Sequence, residues 1–305
     1  MPEKRFVIHK HTQDGQIHWD LMIESGDKLK TWRLENPPEQ LATETTKAVP
    51  IFDHDKKFLT YQGPVNNGKG TVEIVDHGNC DIIYSNVPCL AIRLNQNHYT
   101  IIEGEEMSWI SPYQFQLQMP LEQIQNYIDQ YPENDQKKDD NLHQIVENII
   151  HRQPKFMTYE DLKEFFHWKS GDRNIGNISK NSPNYIQIIT KEAFSQIEQN
   201  HNINEILAKE RFRIEVLTLL NGIAWPTASA ILHFVFTDSY PVIDFRALRS
   251  VGILSFNENK TDRFCNFTFW WGYTQYCRML ARNFNICMRN LDKALWTFGF
   301  PLSRE

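Results

Sequence analysis

The chain has 305 residues, with 41% hydrophobic and 12% aromatic residues and a formal net charge of −6, which is typical of a globular protein of about two domains. No apolar run reaches the ~20 residues that span a bilayer and the N-terminus lacks a secretory signal, so we expect no membrane segment and a cytoplasmic location. The five cysteines form no CxxC pair, which argues against an iron–sulfur cluster.

A β-rich domain is predicted over residues 1–120. Up to about Pro120 the apolar residues alternate or fall in short runs between turn signals, which is the pattern of strands. The predicted strands are RFVIHKH (5–11), IHWDLMIES (17–25), KLKTWRL (28–34), GTVEIVDHG (70–78), CDIIYSN (80–86) and CLAIRLNQNHYTIIEG (89–104). With the helical second half, this gives an α+β, two-domain protein whose N-terminal module is β-barrel-like.

Three histidines and two aspartates fall within residues 9–20, HKHTQDGQIHWD. The Asp-Gly pair at 14–15 is a strong turn signal, so the first two strands should form a hairpin. Alternation then puts His11 on one face of the first strand, and His18 and Asp20 on one face of the second. Imidazole and carboxylate groups on paired strands suit Mn²⁺ or Zn²⁺, and we predict these three residues as ligands. The alternative is that histidines on a solvent-facing strand merely titrate.

The period of the apolar residues then becomes helical. In NLHQIVENII (141–150) they recur at the spacing of one helix face. Before this helix lies QYPENDQKKDDN (130–141), whose Pro, Asn and clustered charges indicate a polar linker, placed over 121–141. Residues 142–305 are predicted to be all-α. Basic residues favour this half, which leaves room for a nucleic-acid-binding face.

The N-terminal half resembles the 3′-phosphoesterase module of bacterial DNA ligase D, and still more its short stand-alone relatives. The resemblance covers about 90 residues in order. It is carried by HKH (9–11), HWDLMIE (18–24), LKTWRL (29–34), FDHDKKFLTYQGPV (52–65) and GKGTVEIVDHG (68–78). It implies that His11, His18 and Asp20 hold a manganese ion and that His54 is a catalytic residue facing the 3′-phosphate.

Two positions depart from the phosphoesterase pattern. Met22 stands where the family has an Arg, and Phe58 where it has a Tyr, so two phosphate contacts are missing. An Arg clamps phosphate through a bidentate fork that Met cannot replace. Arg33 or Lys69 could compensate from another position.

The second informative stretch is VLTLLNGIAWPTASAILHFVFTDSYPVIDFRALRSVG (216–252). An apolar helix, a tight turn and a Pro placed to open the next helix form a helix-hairpin-helix. It resembles the helix-hairpin-helix base-excision DNA glycosylases, at Leu220, Gly222, Ile223, Thr227, Ala228, Ile243, Asp244 and Arg249. Pro226 occupies the position of the lyase lysine, so strand cutting through a Schiff base is not expected.

The glycosylase resemblance implies that Asp244 stabilises the sugar cation or activates water as a flipped base leaves. The alternative is that Asp244 only caps the helix FRALRSVG. For DNA binding we predict the hairpin backbone at Gly222 and Ala224 together with Trp225. Arg246 and Arg249 are also predicted to contact DNA phosphates. The alternative for each is that it lies on a solvent-exposed face without a ligand. The aromatic residues after position 266, among them Trp270, Trp271, Tyr273, Tyr276 and Trp296, are assigned to the core.

Both halves thus predict a DNA repair or nucleic-acid end-processing protein. Its partner is expected to be DNA, including ends that carry a 3′-ribonucleotide. The main hypothesis is a metal-dependent phosphoesterase with a DNA-binding helical domain. Two alternatives stay open: a non-catalytic DNA-binding protein with a decayed phosphate site, and a monofunctional DNA glycosylase that uses Asp244.

Overall fold

The computed structural model describes residues 4–86, 89–105, 107–171, 175–197 and 202–300. The chain divides into two compact units. The first combines Met1–Gln116 with Trp271–Asn283, and the second combines Leu117–Trp270 with Phe284–Glu305. The sequence boundary near residue 120 therefore lies close to the structural one. The contiguous division is corrected in one respect, because Trp271–Asn283 groups with the N-terminal unit.

The first unit is built on antiparallel strands. Their bounds are β1 Lys4–Gln13, β2 Gln16–Ser25, β3 Lys28–Leu34, β4 Thr46–Asp55, β5 Gly63–Val65, β6 Gly70–Asn86, β7 Cys89–Leu94, β8 Asn97–Glu103 and β9 Ser108–Ser111. The sheet order is β1-β2-β3-β4-β9-β8-β7-β6, and β1 also pairs with β6. Eight strands therefore close into a barrel, with β5 added at the start of β6. The predicted barrel-like module is confirmed.

The barrel has an apolar interior formed by alternate residues of each strand. On β1 and β2 these are Phe6, Ile8, Leu21 and Ile23, which join Trp32 and residues from the other strands in one buried cluster. The turn between β1 and β2 has positive φ at both Asp14 and Gly15, as a two-residue hairpin requires. Period-two alternation then places the remaining residues of β1 and β2 on the outer face of the barrel.

Part of this outer face is also covered. Val7, Met22 and Leu29 form a second buried cluster with Leu59, which lies in a short 3₁₀ helix (Lys56–Leu59) after β4. Phe58 and Ile74 pack against it. This outer apolar cluster holds the segment after β4 beside the strands that carry His11, His18 and Asp20.

The second unit is helical. The α-helices are α1 Ile124–Asp129, α2 Glu133–His151, α3 Tyr159–Ser170, α4 Ile175–Ile178, α5 Pro183–Ala193, α6 Ile203–Leu217, α7 Trp225–Val235, α8 Phe245–Ser250, α9 Phe267–Phe284 and α10 Met288–Phe298. The expected all-helical character of this half is borne out by these elements. None of the described helices has the length and apolar character needed to cross a membrane.

The predicted polar linker is corrected. Residues 133–141 form the first half of α2, which begins after Pro132 and carries acidic residues in its first turn, where they complement the helix dipole. Asp139 is buried, accepts a hydrogen bond from Trp168 Nε1 at 2.8 Å and forms an ion pair with Arg289. Charge clustering suggested a solvated linker because the sequence alone does not show that one of these carboxylates has partners in other helices.

The aromatic residues of α9 are core residues, as predicted. Trp270, Trp271, Tyr273 and Tyr276 are all buried. Within the first unit, the Trp271 ring meets Trp109 edge-on at 5.4 Å, and Tyr276 stacks on Phe115 at 5.1 Å. The assignment fails for Trp296, which is only half-buried.

Candidate functional site

The predicted metal ligands converge on the outer face of the barrel. Strands β1 and β2 pair with His11 opposite His18 and His9 opposite Asp20. The two histidines of β1 lie on the same face of that strand as Val7, and His18 and Asp20 lie on the same face of β2 as Met22. This face points away from the barrel interior. The hairpin register predicted from the Asp-Gly turn is what brings the three side chains together.

The distances between these side chains fit a single ion. His11 Nδ1 lies 3.0 Å from His18 Nε2, and His18 Nε2 lies 3.5 Å from Asp20 Oδ2. Ligands about 2.0–2.2 Å from one divalent ion stand roughly 3.0–3.5 Å apart. Two imidazoles and a carboxylate also form a donor set that suits Mn²⁺ and Zn²⁺. Among the described residues, these three form a group that could hold a metal ion.

We call the group of His11, His18 and Asp20 the histidine centre. Two further side chains, Arg33 and His54, lie beside it. Arg33 Nε on β3 donates to Asp20 Oδ1 at 3.2 Å, and 41% of the Arg33 side chain is exposed. His54 on β4 lies 3.0 Å from Thr31 Oγ1 through its Nδ1. Thr31 donates its own hydroxyl proton to the Leu29 carbonyl at 2.9 Å. His54 must therefore be the donor to Thr31, which leaves its Nε2 as the unprotonated nitrogen of the neutral ring.

Burial sets the ionisation of the histidines. It lowers the pKa of His9, His18 and His54 below the ordinary value, and for each of them the nearby Asp20 opposes this effect. A depressed pKa keeps an imidazole neutral near neutral pH, and neutral imidazole is the form that binds metal ions. The electrostatics of the centre therefore suit coordination.

Gly70, at the start of β6, closes the centre from the neighbouring strand. A Cβ at this position would lie 2.8 Å from His11 Nε2 and 3.3 Å from the Thr12 carbonyl oxygen. Any side chain larger than hydrogen would therefore displace the imidazole. The sequence contained this glycine in GKGTV, but its contact with His11 depends on the pairing of β1 with β6.

The two departures from the phosphoesterase pattern occur in one place. Met22 is buried in the outer apolar cluster, and Phe58 packs against the same cluster. Phe58 also meets the ring of His54 edge-on at 5.4 Å and that of His9 at 6.0 Å. Both changes replace a polar side chain by an apolar one, so together they turn this edge of the centre into a packing contact.

In the helical unit, the predicted hairpin lies between α6 and α7. Gly222 has a φ of 89°, which favours glycine, and a Cβ there would come within 3.2 Å of Asn177 and Phe166. Ala224 occupies the N-cap position of α7, and Pro226 lies in the first turn of that helix. Trp225 is half-buried. Two helices joined by a short turn are thus present, while the helix-hairpin-helix identity of this segment and DNA binding by it stay predictions.

Asp244 lies at the N-terminus of α8 and in a cleft. Its Oδ1 accepts a hydrogen bond from the Arg246 backbone N–H at 3.0 Å, which is the predicted N-cap. Its Oδ2 lies 3.2 Å from Lys169 Nζ. The cleft has a volume of about 280 Å³ and is also lined by Trp168, Trp296, Tyr131, Phe245, Arg246, Arg289 and Asp292. Asp244 therefore caps α8 and also lines a cleft of ligand size.

The prediction for Arg249 is corrected. Its side chain is buried, with Nε donating to the Glu258 carbonyl at 2.9 Å and Nη1 to the Gly299 carbonyl at 3.2 Å. A guanidinium committed to two carbonyls inside the fold is not available to a DNA phosphate. Arg246 differs, since it is only partly buried, borders the cleft and lies over the Trp296 ring at 4.1 Å.

Comparisons with known proteins agree with the geometry of the barrel. Residues 8–118 match the family model of the DNA Ligase D 3′-phosphoesterase domain. This range contains the histidine centre and His54, while the helical half of the chain lies outside it. The comparison with curated proteins gave no match. The match over residues 8–118 supports the resemblance of the N-terminal half to this phosphoesterase domain.

Proposed function

We propose that the N-terminal barrel is a metal-dependent phosphoesterase that acts on nucleic-acid 3′ ends. The observation that supports it best is the group formed by His11, His18 and Asp20 within the range matched by the phosphoesterase family. In this proposal the three residues hold a divalent ion, most readily Mn²⁺. The ion, when bound, polarises a phosphoryl oxygen or lowers the pKa of a water.

The neighbouring side chains supply the other functions. Arg33 holds Asp20 through Nε, and its Nη nitrogens can donate to a phosphate oxygen in place of the Arg that is absent at Met22. His54 is held by Thr31 at Nδ1, which fixes the ring. The negative charge of a bound phosphate favours protonation at Nε2, so His54 can hold a proton beside the phosphate oxygens.

The test uses the full chain with Mn²⁺ and a duplex whose primer strand ends in a 3′-phosphate or in a single 3′-ribonucleotide. We expect trimming of the 3′ end, and we expect His18→Ala to abolish it. His98→Ala, which removes an exposed histidine of β8, is the matched control and should retain activity. A protein that binds Mn²⁺ but trims neither end would overturn the proposal.

That negative outcome would favour a non-catalytic DNA-binding protein. The observation on its side is the apolar packing of Met22 and Phe58, which fits a site that has lost phosphate contacts. Binding would then depend strongly on salt, because phosphate contacts release counterions.

A second candidate activity is base excision by the helical unit as a monofunctional glycosylase. The observation that favours it is the position of Asp244, with Lys169 beside it, in a cleft large enough for a base. Alkali-revealed abasic sites in damaged duplex DNA, formed by the wild-type chain and absent with Asp244→Asn, would support it. Abasic sites formed equally by the variant would exclude Asp244 as the catalytic residue.

A further inference from the structure

Phe52 on β4 is an aromatic side chain without a role in the core. It is 75% exposed, the largest fraction among the exposed large hydrophobic residues of the described chain. Exposing a ring of this size to water forgoes the free energy of burying it. Single exposed apolar residues are common, so exposure by itself assigns no function. The evidence for a function is the position of Phe52 relative to His54.

The Phe52 ring stacks on the His54 imidazole. The ring centroids are 4.7 Å apart and the planes are inclined by 23°. His54 is in turn fixed by Thr31 and surrounded by the charges of Asp20 and Arg33. One face of Phe52 therefore covers a residue of the proposed active site. Because most of the side chain is exposed, its opposite face is open to a ligand.

We infer that Phe52 is a stacking platform for a nucleobase at the 3′ end of the substrate. The inference rests on the proposed phosphoesterase function. A phosphate held between the histidine centre and His54 is attached to a nucleoside, whose base must lie within a few ångströms of that phosphate. An open aromatic face beside His54 offers that base a sequence-tolerant partner, since each base has a π-face.

Phe52 is thus assigned as a positioning residue that selects ends with a base over ends without one. It forms no bond to the phosphate and takes no part in the chemical step. Stacking of a base on an aromatic side chain is worth about 1–3 kcal/mol, which corresponds to about 5- to 150-fold in affinity. The effect should concern affinity and KM, with kcat and Mn²⁺ affinity unchanged.

The test is a double-mutant cycle between the ring and the base. The ligand is a short oligonucleotide that ends in a 3′-methylenephosphonate, a phosphate analogue that is not hydrolysed. It is prepared with a normal terminal nucleotide and with an abasic terminal nucleotide. Binding to the full chain with Mn²⁺ is measured by fluorescence anisotropy. The variants are Phe52→Ala and Phe52→Tyr, with Ile83→Ala as a control for loss of an exposed apolar side chain on β6.

We expect the wild-type chain, Phe52→Tyr and Ile83→Ala to bind the base-bearing end at least 5-fold more tightly than the abasic end. With Phe52→Ala this preference should vanish. Equal preference in Phe52→Ala and wild type, or no preference in wild type, overturns the inference. Because this measurement needs no turnover, a chain that shows the preference but does not hydrolyse 3′-phosphates refutes the proposed function alone. A chain that hydrolyses them without the preference refutes the stacking alone.

Discussion

Arg33 donates through Nε to Asp20 Oδ1 at 3.2 Å, across the β2–β3 pair in which the two residues are directly opposed. The cation thus lies beside the carboxylate of the histidine centre while a large part of its side chain is open to solvent. In the phosphoesterase pattern the phosphate-binding Arg lies two residues after the Asp, on β2, where this chain has the buried Met22. The register of β2 and β3 therefore places the Arg33 guanidinium beside the histidine centre, on a different strand from Met22.

The first prediction concerns this guanidinium. Arg33→Ala should lower kcat/KM for 3′-phosphate ends by about 10- to 100-fold, because charge-assisted hydrogen bonds are worth about 1.5–3 kcal/mol each. Arg33→Lys should recover only part of the loss, since an ammonium lacks the planar fork. Steady-state kinetics with Arg93→Ala as a control for an exposed barrel arginine would check this. Unchanged kinetics in Arg33→Ala would assign the phosphate contact elsewhere.

A second prediction concerns Met22. Restoring the pattern with Met22→Arg should destabilise the protein by several kcal/mol, because the guanidinium would enter the outer apolar cluster without a partner. Met22→Leu should cost less than about 1.5 kcal/mol, since it conserves volume and polarity. The stability of the two variants relative to wild type is measured by urea unfolding, which gives the free energy of unfolding. An equally stable Met22→Arg variant with raised activity would show that the cluster opens readily to phosphate.

The third prediction concerns Gly70. Gly70→Ala should weaken Mn²⁺ binding by about 10- to 100-fold, the effect of losing the support of a metal ligand, because the new methyl group displaces His11. Titration calorimetry with Mn²⁺ measures this directly. Gly176→Ala, at a position where a methyl group meets no neighbouring atom, is the control. Equal Mn²⁺ affinity in Gly70→Ala and wild type would mean that His11 is not a ligand or that the strand yields.

The fourth prediction concerns Asp139 in the segment expected to be a linker. Asp139→Ala should destabilise the helical unit by about 1–3 kcal/mol, because Trp168 Nε1 loses its acceptor and Arg289 keeps Asp292 but loses its second buried carboxylate partner. The adjacent Asp140→Ala removes an exposed carboxylate and should change stability by less than about 0.5 kcal/mol. Urea unfolding followed by helical circular dichroism compares the two. A small effect at both positions would mean that the contacts of Asp139 contribute little to the stability of the helical unit.

The fifth prediction concerns pH. Burial lowers the pKa of His233 to about 3, and its Nδ1 donates to the Tyr240 carbonyl at 2.7 Å. The unfolded chain, with a pKa near 6.5, binds a proton there more readily than the folded chain. The stability from this residue is therefore fully present above about pH 6.5 and is lost as the pH falls towards 3.

Unfolding midpoints measured from pH 7 to pH 4 should fall, and His233→Gln should reduce the slope of that fall. The exposed His98→Gln serves as the control and should follow the wild-type slope. If His233→Gln also keeps the wild-type slope, the acid sensitivity originates in other groups.

The sequence by itself determined the features that depend on neighbouring residues. Period-two alternation and the Asp-Gly turn placed His11, His18 and Asp20 on one face, because a tight turn fixes the register of the two strands it joins. The position of Pro226 in the first turn of α7 and the cap at Asp244 likewise followed from local chemistry. The outward direction of the histidine face also followed, because the other face of β2 carries Ile17, Trp19, Leu21 and Ile23.

Only the tertiary structure decided the contacts between distant segments. Gly70 meets His11 because β1 pairs with β6 to close the barrel, and His54 contacts Thr31 because β4 pairs with β3. The same holds for Arg249, whose charge suggested a DNA contact until the fold surrounded it with backbone carbonyls. A local sequence pattern predicts whether a segment is a helix or a strand and where it begins and ends. The environment of a side chain depends instead on which distant elements pack against it.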